Sequence, residues 1–478
     1  MDATRRYDAL VIGAGMSGLA AGIRLAQFGR RVAVLERHSL WGGLNSFYKL
    51  GGRHFDVGLH ALTNWAPKGA RGRPLTKLLR QLRLRHDDLR LGEQTWSEIA
   101  FPGTRLRFSN DHELLRGEIR DAFPREVDGY DRLVERVRAT DIAATQGPAR
   151  SRALVEEHVG DPRLVDMLLL PICYYGSASE DEPDWIQFAT LFQALYLEGL
   201  CRPEGGIRRL LDLLRGRFLE EGGELRMRTG VRAIRVEGGR AVGVTLDDGT
   251  ELAAEHVLSS AGWVETLGLV EGADAPRPAP AEHGRLSFLE SISVLDRDPR
   301  ELGIGAATAF YARGERMRYR VPADDVDLDS GVISVPTNFA ADEPPPEGLV
   351  RLTVLARPDR WMDRPEDEYR RAKEDAARRA IEAAAGCFDG WSSWEDATVF
   401  RDTFTPRTIR QFTGHVNGAV YGSPAKRRDG ATPIRDLSLI GTDQGYLGVV
   451  GALISGITIA NRQALTPAAS TAPAGGSA

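Results

Sequence analysis

Three glycines near the start of the chain have the spacing of a phosphate-binding turn. Gly13, Gly15 and Gly18 form the pattern G-x-G-x-x-G, and the acidic residue Glu36 comes eighteen positions after the third glycine. Gly13 permits a tight turn, Gly15 lets a pyrophosphate approach the backbone, and Gly18 lets a helix pack closely on a strand. The N–H groups at the start of that helix bind phosphate oxygens, and the Glu36 carboxylate accepts hydrogen bonds from ribose hydroxyls. This pattern predicts a dinucleotide-binding site.

The predicted elements around these residues are the ones that such a site needs. The apolar run 9–12 is typical of a buried parallel strand, and apolar residues at helical spacing follow Gly18. Residues 31–35 (RVAVL) then predict a second strand, which ends at Glu36. A glycine turn that binds nothing is the alternative. Such a turn does not require two strands, a helix and the acid together, so the sequence favours a dinucleotide.

Composition excludes several other classes of protein. The chain has 478 residues, 42% hydrophobic and 27% charged, which is ordinary for a globular protein of two or three domains. The net charge of −5 gives no general attraction to nucleic acid. Cys173, Cys201 and Cys387 are far apart and the nine histidines are scattered, so we expect neither a disulfide framework nor a metal site. We find no signal peptide and no membrane-spanning segment, and we expect a cytoplasmic protein.

The residues after Glu36 distinguish between cofactors. A glycine pair, Gly42-Gly43, follows this acid, and a plain NAD dehydrogenase has no need of it. Here the chain resembles the flavoproteins that include amine oxidases and carotenoid desaturases, in which an acid followed by a glycine pair continues the FAD site. The resemblance implies non-covalent FAD with contacts from Arg37 and Gly43. The family usually has Arg after the pair, whereas this chain has Leu44.

The C-terminal part contains the most family-specific motifs. It reads TFTPRTIRQFTGHVNGAVYGSPAKR and then DLSLIGTDQGYLGVVGALISGITIANR, where a strand runs into a glycine-rich turn and a helix. These motifs resemble the phytoene desaturase family, which includes carotenoid desaturases, carotenoid isomerases and retinol saturases, and the resemblance covers essentially the whole chain. Most desaturases have Gly-Asp where this chain has Gly441-Thr442-Asp443. The spacer before the acid is more similar to the saturase-type branch.

The resemblance also implies roles for single residues. We expect FAD contacts from Asp443 near a helix N-terminus, from Val450 in that helix, and from the backbone at Val231, which contacts adenine in those families. His60 and Tyr446 are the catalytic candidates, because one closes the N-terminal flavin motif and the other follows the C-terminal one. For His60, a structural or substrate-lining role is the alternative.

The predicted fold class is α/β, with a discontinuous Rossmann-like FAD-binding domain and an inserted α+β substrate domain. The predicted segments of the FAD-binding domain are 1–66, 203–285 and 396–465. Those of the substrate domain are 67–202 and 286–395, and a disordered tail is predicted at 466–478. Single elements predicted from their patterns include strands at 231–236 and 241–246 and a helix at 366–385.

Four segments are expected to converge on one tunnel for a long apolar substrate: 165–200, 286–295, 403–422 and 445–448. For the aromatic residues at helical spacing within 185–196, packing in the core is the alternative. With the resemblance, this predicts a FAD-dependent oxidoreductase that acts on carbon–carbon bonds of a long isoprenoid or polyene, by desaturation, saturation or isomerisation. The protein would orient the lipophilic substrate and exclude water, while the cofactor carries the hydride chemistry. The alternatives are an amine oxidase and a non-catalytic flavin- or lipid-binding protein. The electron acceptor stays open.

Residues 68–86 form a basic segment with leucines at helical spacing. They include seven Lys or Arg residues and no acid. One hypothesis is that this helix docks the protein on an anionic membrane, at its inner face, where a lipophilic substrate is dissolved. The alternative is a solvated helix whose leucines pack inward.

Overall fold

The structure, a computed structural model, describes residues 6–58, 60–144, 147, 150–272, 275–343 and 345–465, so the predicted tail at 466–478 lies outside the described residues. The strands are β1 (Tyr7–Ile12), β2 (Val32–Leu35), β3 (Phe47–Leu50), β4 (Arg53–Asp56), β5 (Leu91–Glu93), β6 (Ser97–Phe101), β7 (Thr104–Phe108), β8 (Cys201–Pro203), β9 (Glu224–Arg226), β10 (Val231–Glu237), β11 (Arg240–Leu246), β12 (Glu251–Ser259), β13 (Ser287–Leu295), β14 (Thr308–Ala312), β15 (Ser330–Ser334), β16 (Gly348–Ala356), β17 (Thr398–Phe404) and β18 (Leu437–Leu439). The α-helices are α1 (Met16–Ala26), α2 (Pro74–Gln81), α3 (His86–Leu89), α4 (His112–Ala122), α5 (Val127–Ala139), α6 (Ser151–Glu156), α7 (Pro162–Gly176), α8 (Trp185–Phe192), α9 (Ile207–Glu220), α10 (Trp263–Gly268), α11 (Asp359–Met362), α12 (Glu366–Ala385), α13 (Pro406–Thr413) and α14 (Gly448–Ile459).

The first sheet carries the glycine turn. Its parallel core has the order β9–β2–β1–β12–β18, and the antiparallel hairpin β10–β11 is attached to β12. β1 and β2 are almost entirely buried, as expected for parallel strands with both faces covered. Apolar residues of α1, α9 and α14 pack against one face of these strands. The chain leaves this sheet and returns to it twice, which confirms the predicted α/β class with a discontinuous Rossmann-like part.

The second sheet has the order β17–β13–β16–β15–β14–β6–β7. Its pairs are antiparallel except for β6 and β14, which run parallel. Side chains alternate between its faces. Leu289 of β13 packs toward Ala380 and Ile381 of α12, whereas Phe288 faces the side covered by α7 and α8. The side that carries Phe288 contributes to the cavity described below.

β17 departs from the predicted domain boundaries. The prediction assigns residues 396–465 to the FAD-binding domain, but β17 pairs with β13 in the second sheet. Phe400 and Phe404 of β17 pack in one apolar cluster with Phe55 and Ile292, and the burial of these rings accounts for the pairing. The other predicted domain limits stay a prediction.

The basic segment forms a short helix whose leucines face inward. α2 spans Pro74–Gln81, and Leu75, Leu78, Leu79 and Leu82 are buried. The alternative of inward-packed leucines is therefore confirmed. Four of the seven cations lie in ion pairs: Lys68–Asp87, Arg73–Glu198, Arg83–Glu221 and Arg85–Asp88. Among the described residues, the helices are all too short or too polar to cross a bilayer.

Candidate active site

A cavity of about 770 Å³ is lined by residues of both sheets. We call one part of it the nucleotide end, which is lined by Gly13, Gly15, Glu36 and Val231. We call another part the sheet end, which is lined by His60, Tyr174, Phe288, Glu290 and Tyr421. The four segments predicted to form a tunnel all contribute to the lining, for example through Tyr174, Phe288, Tyr421 and Leu447. Each segment thus reaches the same cavity, and its use as a tunnel for a long apolar substrate stays a prediction.

The glycine turn has a geometry that excludes side chains at its first and third glycines. Gly13 has a φ of +94°, and a Cβ there would lie 2.3 Å from Ser260 Oγ. A Cβ on Gly18 would lie 2.0 Å from the carbonyl oxygen of Gly13, so α1 packs directly on the turn. At Gly15, by contrast, no heavy atom of the described residues lies within 4 Å of the Cβ position. The space at Gly15 leaves room for a ligand against the backbone.

Glu36 is buried just after the end of β2 and lines the cavity. Its Oε2 accepts a hydrogen bond from the Ala14 N–H at 2.8 Å, and its Oε1 accepts one from the His38 N–H at 2.9 Å. An ionised carboxylate offers about four acceptor sites, so both oxygens keep capacity for ribose hydroxyls. The neighbouring Arg37 also lines the cavity and donates to the carbonyl of Phe412 at 3.1 Å.

Two helices begin at the cavity without side-chain caps. α1 starts after Gly15 and α14 starts after Leu447, and neither has a side-chain cap or an acid in its first turn. The two helices cross closely, since a Cβ on Gly456 would lie 2.1 Å from the carbonyl oxygen of Ser17. Residues of both first turns line the cavity, namely Met16 and Ser17 in α1 and Gly448 and Val449 in α14. Both helices therefore direct N–H groups and the positive end of a helix dipole toward it. This arrangement favours a ligand with negative charge.

The structure does not bring every predicted site residue to the lining. Gly43, Arg37, Val231 and His60 line the cavity together with the first two glycines and Glu36. Those outside the lining, among the described residues, are Gly18, Asp443, Tyr446 and Val450. Gly18 packs on the turn and Val450 is buried in α14. Tyr446 is half-buried, and its hydroxyl makes no hydrogen bond to a described residue. The roles of these residues toward FAD and substrate stay predictions.

Asp443 joins three segments behind the cavity. Its Oδ2 accepts from the Trp263 N–H at 2.6 Å, and its Oδ1 accepts from the Ser423 N–H at 2.7 Å and from Lys426 Nζ at 3.3 Å. Burial lowers the pKa of Lys426, and the Asp443 carboxylate opposes this shift. Asp443 thus holds the turn before α14, where Thr442 lines the cavity.

A buried ion pair lies at the sheet end. Glu290 of β13 is 8% exposed and lines the cavity. Arg351 of β16 donates from Nε to Glu290 Oε1 at 2.7 Å, and its Nη2 contacts the same oxygen. Burial raises the pKa of Glu290, and the guanidinium of Arg351 opposes this shift. Glu290 Oε2 makes no hydrogen bond to a described residue, so an acceptor is left at the cavity.

His60 lies beside this ion pair. Its Nε2 is 3.3 Å from the hydroxyl oxygen of Thr353, the residue opposite Glu290 in the pairing of β13 with β16. Burial lowers the pKa of His60 to about 3, and the guanidiniums of Arg351 and Arg202 add to this shift. The imidazole is therefore neutral at neutral pH. Its Nδ1 is buried and has no hydrogen-bond partner among the described residues.

The rest of the sheet end is largely aromatic and apolar. The ring of Phe288 stacks on Tyr174 with 5.9 Å between centroids, and it meets Tyr421 edge-on at 5.7 Å. Tyr175 and Val332 extend this wall. Such a surface binds a ligand by shape and apolar contact.

Sequence reasoning misses Glu290, Arg351 and Thr353. The local signal for Glu290 is weak, because it is one acid inside the apolar run LSFLESISVL. Arg351 is 61 residues away in the chain, and only the register of β13 and β16 brings the two together. An acid in the interior of an apolar strand is the feature that would have pointed to this pair.

The nucleotide end fits a flavin dinucleotide. The open space at Gly15 and the start of α1 suit a pyrophosphate, and Glu36 keeps acceptors for ribose hydroxyls. The start of α14 suits the electron-rich edge of a flavin ring. The first two features fit any dinucleotide, and the start of α14 adds a place for the flavin ring.

Comparisons with known proteins support this assignment. Residues 16–462 match the family described as flavin containing amine oxidoreductase. Prolycopene isomerase of Arabidopsis thaliana is 24% identical, covering 96% of this chain and 82% of the relative. All-trans-retinol 13,14-reductase of Danio rerio is 25% identical, covering 94% of this chain and 85% of the relative. An oxidoreductase from Methanosarcina mazei has a similar structure, with a TM-score of 0.66, 18% identity, and coverage of 95% of this chain and 100% of that chain.

The family match answers the questions of cofactor and enzyme class. It extends over nearly all the described residues, and the solved structure shares the fold over essentially the whole chain. The predictions of a FAD cofactor and of an oxidoreductase are confirmed. The chain belongs to the flavin containing amine oxidoreductase family and is a FAD-dependent oxidoreductase.

Proposed function

We propose that the enzyme desaturates, saturates or isomerises carbon–carbon bonds of a long apolar isoprenoid. The observation that carries this proposal is one cavity that extends from the nucleotide end to an aromatic wall. A polyene has few polar groups, so shape and apolar contact must recognise it. Two relatives support this class of substrate, since their names refer to prolycopene and to all-trans-retinol.

We propose roles in FAD binding for the predicted residues as follows. The residues placed to contact FAD are Gly13, Gly15, Glu36, Arg37, Gly43 and Val231. Those placed to support the site from behind are Gly18, Asp443 and Val450. In this proposal the chain segments of the first sheet bind FAD, and those of the second sheet bind substrate.

Bound FAD supplies hydride transfer and accepts or donates the electron pair. The chain's own residues provide the surroundings. Tyr174, Phe288 and Tyr421 orient an apolar chain and exclude water. His60 is uncharged at neutral pH, so it acts there as a hydrogen-bonding group at Nδ1 and not as a cation.

The charges at the sheet end argue against an amine substrate. Arg351 is paired with Glu290 and Arg202 with Asp56, so the two ion pairs carry no net charge. The carboxylate of Glu290 is already paired with Arg351. A protonated amine placed there would find no net negative charge to offset the loss of its hydration, whereas an uncharged isoprenoid needs no such charge.

The test is anaerobic reduction of the enzyme's FAD by candidate substrates. The panel contains squalene-, phytoene- and retinol-type compounds beside simple amines, and bleaching of the flavin absorbance is followed. For saturation or isomerisation, the chemically reduced enzyme is mixed with the same panel and its products are identified. We expect a response to isoprenoids and none to amines. A response to amines alone would overturn the proposal.

We also propose that the enzyme contacts the inner face of a membrane, where its substrate is dissolved. Leu40, Leu50 and Phe412 line the cavity and are 37%, 43% and 58% exposed. They provide an apolar surface, whereas the leucines of α2 are buried, so α2 contributes only charge. Each Lys or Arg near an anionic surface contributes about 1 kcal/mol, and salt weakens this attraction.

Liposome flotation tests this contact. We expect salt-sensitive recovery with anionic vesicles, reduced by Phe412→Ser at high salt and by Arg80→Gln at low salt. Equal recovery from neutral and anionic vesicles would overturn the electrostatic contribution.

A further inference from the structure

Two polar atoms at the sheet end make no hydrogen bond to a described residue. Glu290 is 8% exposed, and its Oε2 makes no hydrogen bond to a described residue. Nδ1 of His60 is buried and also has no partner among these residues. Both side chains line the cavity. Buried polar groups are normally hydrogen-bonded, so unpaired ones at a binding cavity indicate where a ligand supplies the partner.

The strand register places these two side chains on either side of Thr353. Glu290 lies directly opposite Thr353, and side chains at such positions have Cβ atoms about 4.5–5.5 Å apart. The Thr353 hydroxyl in turn lies 3.3 Å from His60 Nε2. Glu290, Thr353 and His60 therefore line the cavity side by side.

The neighbouring residues Arg351 and Thr353 determine which of the two side chains accepts a hydrogen bond and which donates one. Arg351 donates two N–H groups to Glu290 Oε1, which favours the ionised carboxylate, so Oε2 is an acceptor. The neutral His60 carries one proton. If the Thr353 hydroxyl donates to Nε2, that proton is on Nδ1, which is then a donor without a partner among the described residues. The site thus offers one acceptor and one donor.

We propose that Glu290 and His60 bind the hydroxyl group of an isoprenoid alcohol, so that the enzyme prefers such an alcohol to the corresponding hydrocarbon. This inference rests on the proposed function and narrows its substrate class. A hydroxyl group donates one hydrogen bond and accepts others, which matches both atoms. The pairs Arg351–Glu290 and Arg202–Asp56 balance in charge, so the site offers no net charge to a carboxylate or an ammonium group. A hydrocarbon would cover both polar atoms without pairing them, and sites with unpaired buried groups strongly reject such analogues.

The test measures binding to the FAD-loaded enzyme without turnover. Geranylgeraniol and the matching hydrocarbon, with a methyl group in place of the hydroxymethyl group, are titrated separately under anaerobic conditions. The shift in the visible absorbance of bound FAD gives each Kd. We expect the alcohol to bind about 10- to 100-fold more tightly, because the hydrocarbon leaves buried groups unpaired.

Variants show whether the preference arises at these atoms. Thr353→Val keeps the shape of the side chain but removes the hydroxyl group that holds His60, and Glu290→Gln removes the charge. Each should reduce the preference to about threefold or less, mainly by weakening binding of the alcohol. Ser291→Ala is the matched control, because Ser291 is next to Glu290 in β13 but points to the other face of the sheet. It should keep the wild-type preference.

The outcomes separate this inference from the proposed function. Equal affinity for alcohol and hydrocarbon in the wild type would overturn the inference and leave the proposed function intact. A preference that survives unchanged in Thr353→Val would also overturn it, even if Glu290→Gln fails to fold. If a long-chain amine perturbs the flavin and neither isoprenoid does, the proposed function and the inference both fail.

Discussion

The two ends of the cavity are built in different ways. Most of the nucleotide end comes from one continuous stretch, residues 12–43, and its ligand-facing groups are largely backbone atoms. The sheet end draws on α7, β13, β16 and the segment around Tyr421, which are far apart in the chain. At the first end, glycine spacing determines the geometry. At the second, the geometry depends on strand register and side-chain packing.

Because of this difference, amino-acid substitutions at the two ends should affect different properties of the protein. At the nucleotide end, backbone atoms are in contact with one another, so an added side chain has no room to move aside. At the sheet end, the functional groups are side chains that can be shortened while the sheet remains paired. Substitutions at the first end should therefore affect stability and FAD binding. Substitutions at the second should affect pH dependence and substrate.

The largest effect is expected at the turn of the nucleotide end. Gly18→Val would place a Cβ 2.0 Å from the carbonyl oxygen of Gly13, which is backbone and cannot rotate away. We expect a loss of about 3 kcal/mol in the free energy of unfolding, together with loss of FAD. Thermal unfolding and the flavin content of the purified protein measure both effects. Gly216→Ala in α9 is the control, because no heavy atom of the described residues outside its own helix backbone lies within 4 Å of its Cβ position, and it should gain about 0.5–1 kcal/mol. Equal behaviour of the two variants would contradict this packing.

Glu36→Ala tests the acid at the same end. The substitution removes an acceptor for ribose and leaves the N–H groups of Ala14 and His38 without their partner. We expect FAD affinity to fall by about 1–3 kcal/mol, which equilibrium titration of the apoprotein with FAD measures. Glu255→Ala removes the same charge from an exposed position on β12 and should bind FAD as the wild type does. If the two variants lose affinity equally, net charge and not the hydrogen bonds is responsible.

Elements with strong local signals could be predicted closely from the sequence. The helix predicted at 366–385 is α12, with acids in its first turn and alanines along its buried face. The strands predicted at 231–236 and 241–246 are β10 and β11, joined by a Gly-Gly turn. Which sheet a strand joins could not be predicted, as β17 shows. That choice depends on where Phe400 and Phe404 are buried, and partners such as Phe55 lie far away in sequence.

The same limit applies to the candidate site. Gly13, Gly15 and Glu36 could be found, because their spacing alone places them around one turn. Glu290 could not, because it becomes a site residue only through Arg351 and Thr353 on another strand. The sheet end is a tertiary feature, and its chemistry has to be read from the structure.

The buried imidazole of His60 should make the stability of the protein depend on pH. Its pKa is about 3 in the folded protein, and an unfolded His has a pKa of about 6.5. As the pH falls below about 6.5, the unfolded chain binds a proton that the folded protein does not, so stability decreases toward acid pH. Relative to His60→Gln, the wild type should lose roughly 2 kcal/mol between pH 7 and pH 5. Urea unfolding of both proteins across this range measures the difference. Parallel curves would show that the folded protein protonates His60 without cost.

The smallest effect is expected from Tyr446→Phe, which compares the two catalytic candidates. Tyr446 lies outside the cavity lining, and its hydroxyl makes no hydrogen bond to a described residue. Removing that hydroxyl should change stability by less than about 0.5 kcal/mol and the rate of flavin reduction by less than about twofold. His60→Ala, at the sheet end, should slow flavin reduction roughly tenfold or more if its imidazole orients substrate or passes a proton. Stopped-flow measurement of anaerobic flavin reduction compares both variants at equal FAD content. If flavin reduction is slow in Tyr446→Phe and normal in His60→Ala, the substrate contacts the turn before α14 and not the second sheet.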